Sequence, residues 1–411
     1  MSRSAEYLER ALALMPWGTQ TNAKRIDPAL ADVMPAFIER AEGCRIQDME
    51  GRWYIDYRSA LGPIILGYRH PEVDAAVRRQ MEKGVLFSMA SPLELELAER
   101  MTAIVPGLEQ VRFMKTGHEA NAATIRLARA YTGRDAIATC GYHGHSDWFA
   151  CGAGAAPAWC PRDGNGVPAL LDRLVTRLAY GDVGALEALF AAQGDRLAAL
   201  MLVPYDWGEH VALDFLRRAR ALCDRYGTVL VFDQVLTGFR LAIDGAQGYF
   251  GVVPDLTSYA KALGNGYPIS AYGGRRAIME KLNDAILTTT YAGETLSLAA
   301  SCATLDIMRR EPVHARLWEM GTRLMQGFDA FAMDRGFPAR AYGLPPAPQF
   351  RLGDDPDREP ARQTQFFRAL LERGIFPSRP FLLNAAHDAA VIDQTLEAIG
   401  EALDQVFLNL P

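Results

Sequence analysis

Residues 213–233 read LDFLRRARALCDRYGTVLVFD, an amphipathic stretch that runs into an apolar one. Leu216, Ala219, Leu222, Cys223 and Tyr226 recur at helical spacing, which predicts a helix over Leu213–Tyr226 with one buried face. Thr228–Phe232 is apolar without alternation, the pattern of a buried strand, and it stops at Asp233. A carboxylate at that point lies in the crevice at the strand C-termini, where open α/β sheets bind ligands. Taken alone, Asp233 would more readily be a helix cap or a turn former.

The same alternation continues on the N-terminal side. Val111–Met114, Ala136–Thr139 and the almost uniformly apolar Ala198–Val203 read as strands, and Glu119–Tyr131 as a helix with Ala120, Ala123, Leu127 and Tyr131 inward. Further along, helical patterns at Val313–Phe331 and Ile392–Phe407 enclose a Pro-rich, strand-poor stretch, Gly343–Pro360. In the last of these helices Ile392, Leu396, Ile399, Leu403 and Val406 form one apolar stripe. The expectation is an α/β protein: a large, mostly parallel sheet domain over residues 65–305, and a small α+β domain built from the chain ends, 1–64 and 306–411.

Composition narrows the class. The chain has 411 residues, 49% hydrophobic and 22% charged, as soluble globular proteins do. A net charge of −6 and the lack of a Lys/Arg stripe argue against nucleic-acid and anionic-membrane partners. Met1–Met15 reads as an amphipathic helix without the apolar centre of a signal peptide, and no later stretch is long enough to span a bilayer. Cys44, Cys140, Cys151, Cys160, Cys223 and Cys302 form no CxxC pair and read as reduced thiols of a cytoplasmic protein.

Lys261 adds chemistry to the strand-end carboxylate. The chain has five lysines, and this one sits in PDLTSYAKALGNGYP, residues 254–268, among small and apolar neighbours. A desolvated lysine loses basicity, so its free amine can attack an aldehyde. Two turns complete the set. Lys115-Thr116-Gly117-His118-Glu119-Ala120-Asn121, between a strand and a helix, offers backbone N–H groups and a helix dipole to a phosphate. Gly141-Tyr142-His143-Gly144-His145 puts an aromatic ring at another strand end. An anion cup, a ring to stack on, a strand-end carboxylate and a lysine 28 positions later describe a pyridoxal-phosphate (PLP) site. A dinucleotide dehydrogenase fits poorly, because Gly152-Ala153-Gly154-Ala155-Ala156-Pro157 lacks the third glycine. A metal hydrolase built on His143, His145 and Asp147 matches no common ligand spacing. A scaffold that had lost turnover would have no use for Lys261 and Asp233.

On these residues the chain resembles class III aminotransferases of PLP fold type I, in the branch of glutamate-1-semialdehyde aminomutase. The likeness includes Phe37–Gly43, Tyr54–Tyr57, Gly62–Gly67 and Ile125–Arg134, and is most diagnostic at Phe232–Arg240 and around Lys261. It implies that Lys261 carries the cofactor as a Schiff base and shuttles protons, and that Asp233 partners the pyridine nitrogen. Val235 and Tyr142 would flank the ring. Thr116, Gly117 and His118 would hold the phosphate, and Thr290 would reach the phosphate of a neighbouring subunit, which implies a homodimer with shared sites.

Three departures stand out. Gln234 occupies a position where the family usually has Glu. His118 occupies the last position of a usual Ser-Gly-Thr turn. Thr21-Asn22-Ala23-Lys24, followed by Arg25, replaces the aminomutase's Ser-Pro-Val-Arg, whose arginine goes with the semialdehyde's carboxylate. The expected reaction is a ping-pong amino transfer from L-glutamate or L-glutamine to a carbonyl acceptor, an oxidised sugar or aminoglycoside-like compound of antibiotic-type biosynthesis. An aminomutase or epimerase is the alternative. Lys24, Arg25 and Gln234 are the substrate-side candidates, and Arg240, Arg25 and Arg379 could receive a donor carboxylate by residue type.

Overall fold

The computed structural model describes residues 3–150, 153–154, 166–209 and 211–408. Cys151, Cys160 and most of the glycine-containing stretch 152–157 lie outside the described residues. The chain divides into two compact units, Met1–His70 with Ala315–Pro411, and Pro71–His314.

The Pro71–His314 unit is built on a sheet that has eight strands among the described residues. Their spatial order is Gln110–Met114, Ser270–Gly274, Leu256–Tyr259, Val229–Gln234, Leu197–Leu202, Ala136–Cys140, Val175–Arg177 and Ala153–Gly154. Only Ser270–Gly274 runs against the rest, and the strands from Leu256–Tyr259 to Ala153–Gly154 are all parallel to their neighbours. The mostly parallel sheet expected from the sequence is therefore present. Its central strands, Leu197–Leu202 and Val229–Gln234, are buried at every position, which is why they show no alternation. The second runs one residue past Asp233.

Helices cover the sheet where the apolar spacing places them. Leu213–Tyr226 forms as predicted and buries Leu216, Ala219, Leu222 and Cys223. Gly117–Thr132 begins two residues earlier than its apolar pattern, because Thr116 caps it reciprocally with Glu119. It ends at Gly133, whose left-handed φ of 68° returns an N–H to the Arg129 carbonyl. Ala120, Ala123 and Leu127 face the core as expected, whereas Tyr131, at the end of the last turn, is 38% exposed.

The other unit holds a four-stranded sheet in the order Ile38–Glu42, Arg45–Asp48, Trp53–Asp56 and Ile375–Phe376, together with the helices Val313–Asp334, Glu359–Glu372 and Ala389–Leu408. The Pro-rich stretch contributes one short strand, Gln349–Arg351, paired with Arg340–Tyr342. At the N-terminus the helix spans Arg3–Leu14. Cys44, Cys140, Cys223 and Cys302 are buried free thiols. Among the described residues no helix is long and apolar enough to cross a membrane.

Candidate functional site

Parallel strands deliver their C-terminal ends to one edge of the large sheet. Met114 leads there into Lys115 and Thr116, Cys140 into Gly141 and Tyr142, and Tyr259 into Lys261. Asp233 pairs in register with Ser258 of the adjacent strand, so Lys261 follows three residues beyond that partner. Sheet topology thus gathers segments that lie far apart in the chain.

Asp233 is 4% exposed and fully engaged. Its Oδ2 accepts from Asn121 Nδ2 at 2.8 Å and faces His143 Nδ1 at 2.8 Å, and its Oδ1 accepts the Val235 backbone N–H at 2.9 Å. A carboxylate can only accept, so His143 bears its proton on Nδ1. Asn121 is itself held by the His143 carbonyl at 3.0 Å and by the Ser258 hydroxyl. His143 is enclosed by Trp148, whose ring stacks at 6.4 Å, and by the edge of Phe149 at 5.5 Å; its Nε2 is buried without a partner among the described residues. The sequence drew attention to Tyr142 and missed His143 as the carboxylate's partner. The signal lay in the same five-residue turn, but the contact spans 90 positions.

Lys261 follows with a left-handed φ of 46°, and among the described residues its amine has no hydrogen-bond partner. Burial lowers its pKa from 10.5 to about 8, against the attraction of Asp233 and with the added repulsion of Arg240. Arg240 is wholly buried, and that burial brings it down to about 10.

Thr116, Gly117 and His118 open the helix Gly117–Thr132, and the Ser270 hydroxyl bonds the Thr116 carbonyl at 2.7 Å. A Cβ at Gly117 would stand 2.7 Å from a Val235 methyl, so only glycine lets this turn approach the segment after Asp233. Gly144 is equally constrained, since a Cβ there would meet His118 Cβ at 2.3 Å. Tyr142 is 54% exposed, with its edge on Phe149.

The other candidates fall elsewhere. Gln234 points to the face opposite Asp233. It is fully enclosed, accepting the Ala246 N–H at 2.6 Å and bonding Thr257 Oγ1 at 2.8 Å, Tyr259 OH at 3.1 Å and the Gln247 amide. Thr290 is exposed in the turn before the helix Thr295–Arg310, with no hydrogen bond to Thr116, Gly117 or His118 among the described residues. Lys24, Arg25 and Arg379 belong to the other unit. Lys24 is exposed, Arg25 lies over the Trp17 ring at 5.2 Å, and Arg379 is engaged by Tyr342 OH at 3.2 Å and Gln349 at 3.3 Å.

Comparison with known proteins agrees with this geometry. The aminotransferase class-III family matches residues 27–375. The glutamate-1-semialdehyde 2,1-aminomutase of Syntrophobacter fumaroxidans is 37% identical over 393 residues, 90% of this chain and 91% of its own. The FumI protein of Sphingopyxis sp. MTA144, solved in its PLP internal aldimine form, superposes with a TM-score of 0.90 at 31% identity, covering 99% of this chain and 97% of its own. An omega-transaminase from Sphaerobacter thermophilus does so with a TM-score of 0.89 at 28% identity, over 98% of each chain. The donor set fits the cofactor these proteins share: a basic-range amine at about 8, a buried carboxylate at the sheet edge, an exposed ring and a helix N-terminus that glycine keeps open. The chain belongs to the class III aminotransferases and is a pyridoxal-phosphate-dependent enzyme of fold type I.

Proposed function

We propose that the enzyme moves an amino group from an amino acid, L-glutamate or L-glutamine, to a carbonyl acceptor, an oxidised sugar or aminoglycoside-like aldehyde or ketone in an antibiotic-type biosynthetic pathway. The observation that carries amino-group chemistry is the placement of a lysine amine of lowered basicity one strand over from a buried, triply bonded carboxylate. Bound pyridoxal phosphate supplies an electron sink that makes the α-proton of an amino acid removable. Lys261 Nζ, without a hydrogen-bond partner among the described residues, is the group that takes this proton and returns it. Asp233 fixes a positive charge on the pyridine nitrogen, and Asn121, His143 and Val235 N–H hold the carboxylate in place. Thr116, Gly117 and His118 bind the phosphate through the helix N-terminus, while Tyr142 and Val235 confine the ring.

The transaminases among the structural neighbours support this reading, as does the loss of the aminomutase's arginine at Thr21–Lys24. A second reading, intramolecular transfer by an aminomutase or epimerase, is favoured by the 37% identity to an aminomutase. An added amino donor separates the two. L-Glutamate should bleach the yellow absorbance of the holoenzyme, and turnover of a carbonyl acceptor should stop when the donor is withheld. Turnover that continues without a donor would favour the mutase instead.

The same reading includes a cytoplasmic homodimer in which Thr290 serves the neighbouring site. Exposed Phe87, Met89, Leu95 and Tyr291, 44–83% accessible, support a covering partner copy. Sedimentation should give a dimer that Met89→Glu with Phe87→Glu converts to monomer, with weaker cofactor retention. A fully active monomer would exclude shared sites.

A further inference from the structure

His118 replaces the hydroxyl residue that usually ends this turn, and its hydrogen bonds determine where its proton sits. The Thr116 hydroxyl has one hydrogen. Glu119 Oε2 lies 2.8 Å from it and, as a carboxylate oxygen, can only accept. The same carboxylate takes the Thr116 backbone N–H at 2.8 Å, which holds it in position. His118 Nδ1 lies 3.0 Å from the same hydroxyl, so that contact needs the imidazole to donate from Nδ1. In a neutral ring the other nitrogen, Nε2, then has a lone pair and no hydrogen. Such a nitrogen meets a phosphate oxygen lone pair to lone pair, and only the imidazolium can donate to it.

The surroundings favour the neutral ring before an anion arrives. Burial chiefly, and then His145, lower the pKa of His118 below its ordinary value, with Glu119 opposing them. The His145 ring centre lies 4.0 Å away. The ammonium of Lys115 is paired with Glu294 at 2.8 Å. A dianion at the helix N-terminus reverses the balance, because it stabilises the imidazolium directly.

We propose that the anion held at Thr116–His118 binds together with one proton, taken up on Nε2 of His118. The proposal rests on the placement of the cofactor phosphate described under Proposed function. The bound state holds one proton more than the free state, so affinity is greatest at low pH and falls about tenfold per pH unit above the free imidazole's pKa. Cofactor retention is thereby tied to pH through a residue other than Lys261.

Sulfate tests this directly, since it remains a dianion throughout the range and brings no titrating proton of its own. The full-length chain, freed of cofactor, is titrated calorimetrically with sulfate in two buffers of different ionisation enthalpy, from about pH 6 to about pH 8.5. The wild type is expected to take up close to one proton per sulfate above neutrality. His118→Gln should bind with no uptake, His145→Gln should keep it, and His118→Thr should bind with little pH dependence because a hydroxyl donates without a charge. Binding by the wild type with no proton uptake would overturn the proposal, as would uptake that survives in His118→Gln. Pyridoxal phosphate, titrated in parallel, separates this failure from that of the underlying reading. If it binds both proteins with the same pH dependence, only the His118 proposal fails. If the wild type binds neither sulfate nor pyridoxal phosphate, both fail.

Discussion

Lys261→Met abolishes amino transfer while leaving a folded protein. The amine has a transferable proton, follows the strand next to that of Asp233 and has no competing hydrogen bond among the described residues. General acid–base catalysis by a positioned side chain contributes up to about 10⁴-fold, and the covalent anchor is lost as well. The expected fall in kcat is therefore on the order of 10⁴-fold. Lys261→Arg should be equally inactive, because a guanidinium keeps its proton at any working pH. Partial recovery of Lys261→Met by added small primary amines would identify the missing group as the amine. A variant retaining a tenth of wild-type turnover would sink the assignment.

The same substitution has a stability signature with a definite sign. The folded chain lowers the pKa of Lys261 from 10.5 to about 8, so folding disfavours the charged form. Below about pH 8 the cofactor-free wild type bears the whole cost, on the order of 3 kcal/mol. The cost shrinks as pH rises from 8 towards 10.5, where both folded and unfolded chains lose the proton. Methionine keeps the apolar stem and removes the charge. Cofactor-free Lys261→Met should therefore melt at a higher temperature than wild type at neutral pH, and the gap should close with rising pH. Basicity lowered to that degree also leaves roughly 300-fold more free amine at neutrality than an ordinary lysine has.

The parts of this site that the sequence disclosed share a local cause. Leu213–Tyr226 and the buried strand after it were legible because helical spacing and an unbroken apolar run are direct consequences of burial on one side or on both. Lys261 was legible because its neighbours are small and apolar. The reversed strand Ser270–Gly274 was not, since Ser-Ala-Tyr-Gly-Gly has neither β-branched residues nor alternation. Its glycines answer to the neighbouring strands: a Cβ at Gly273 would stand 2.2 Å from the Gln110 carbonyl oxygen, a contact no local pattern encodes. The first strand of the other unit escaped notice for a different reason. Ile38–Glu42 is largely exposed, so it lacks the buried face that periodicity detects. The pairing of His143 with Asp233 is long-range in the same way as the glycine contacts, because it exists only once two parallel strands, with Leu197–Leu202 between them, end at the same edge of the sheet.

That pairing sets the second large effect, at Asp233. Asp233→Asn changes no shape but removes the negative charge and replaces one accepting oxygen with a donating amide. The native carboxylate receives three donors, from Asn121, His143 and the Val235 backbone. An asparagine can turn its oxygen toward the first two, and its NH₂ then faces the Val235 N–H. In the other orientation the NH₂ opposes Asn121 and His143. At least one donor–donor conflict remains in either case, which should cost about 1–3 kcal/mol of stability. Catalysis loses more. Neutralising one partner of a buried, hydrogen-bonded charge pair costs roughly 2–5 kcal/mol, which corresponds to a fall in kcat of about 30- to 5,000-fold. Lys261 and the phosphate turn are untouched, so Asp233→Asn should still bind cofactor and show its yellow absorbance, with KM for the amino donor little changed. The loss in kcat alone would mark Asp233 as acting on the reacting state and not on binding. Asp233→Glu adds a methylene between Asn121 and His143 but keeps the charge, and should recover part of the rate. If Asp233→Asn turned over at the wild-type rate, the carboxylate would be a structural hub for Asn121 and His143 and nothing more.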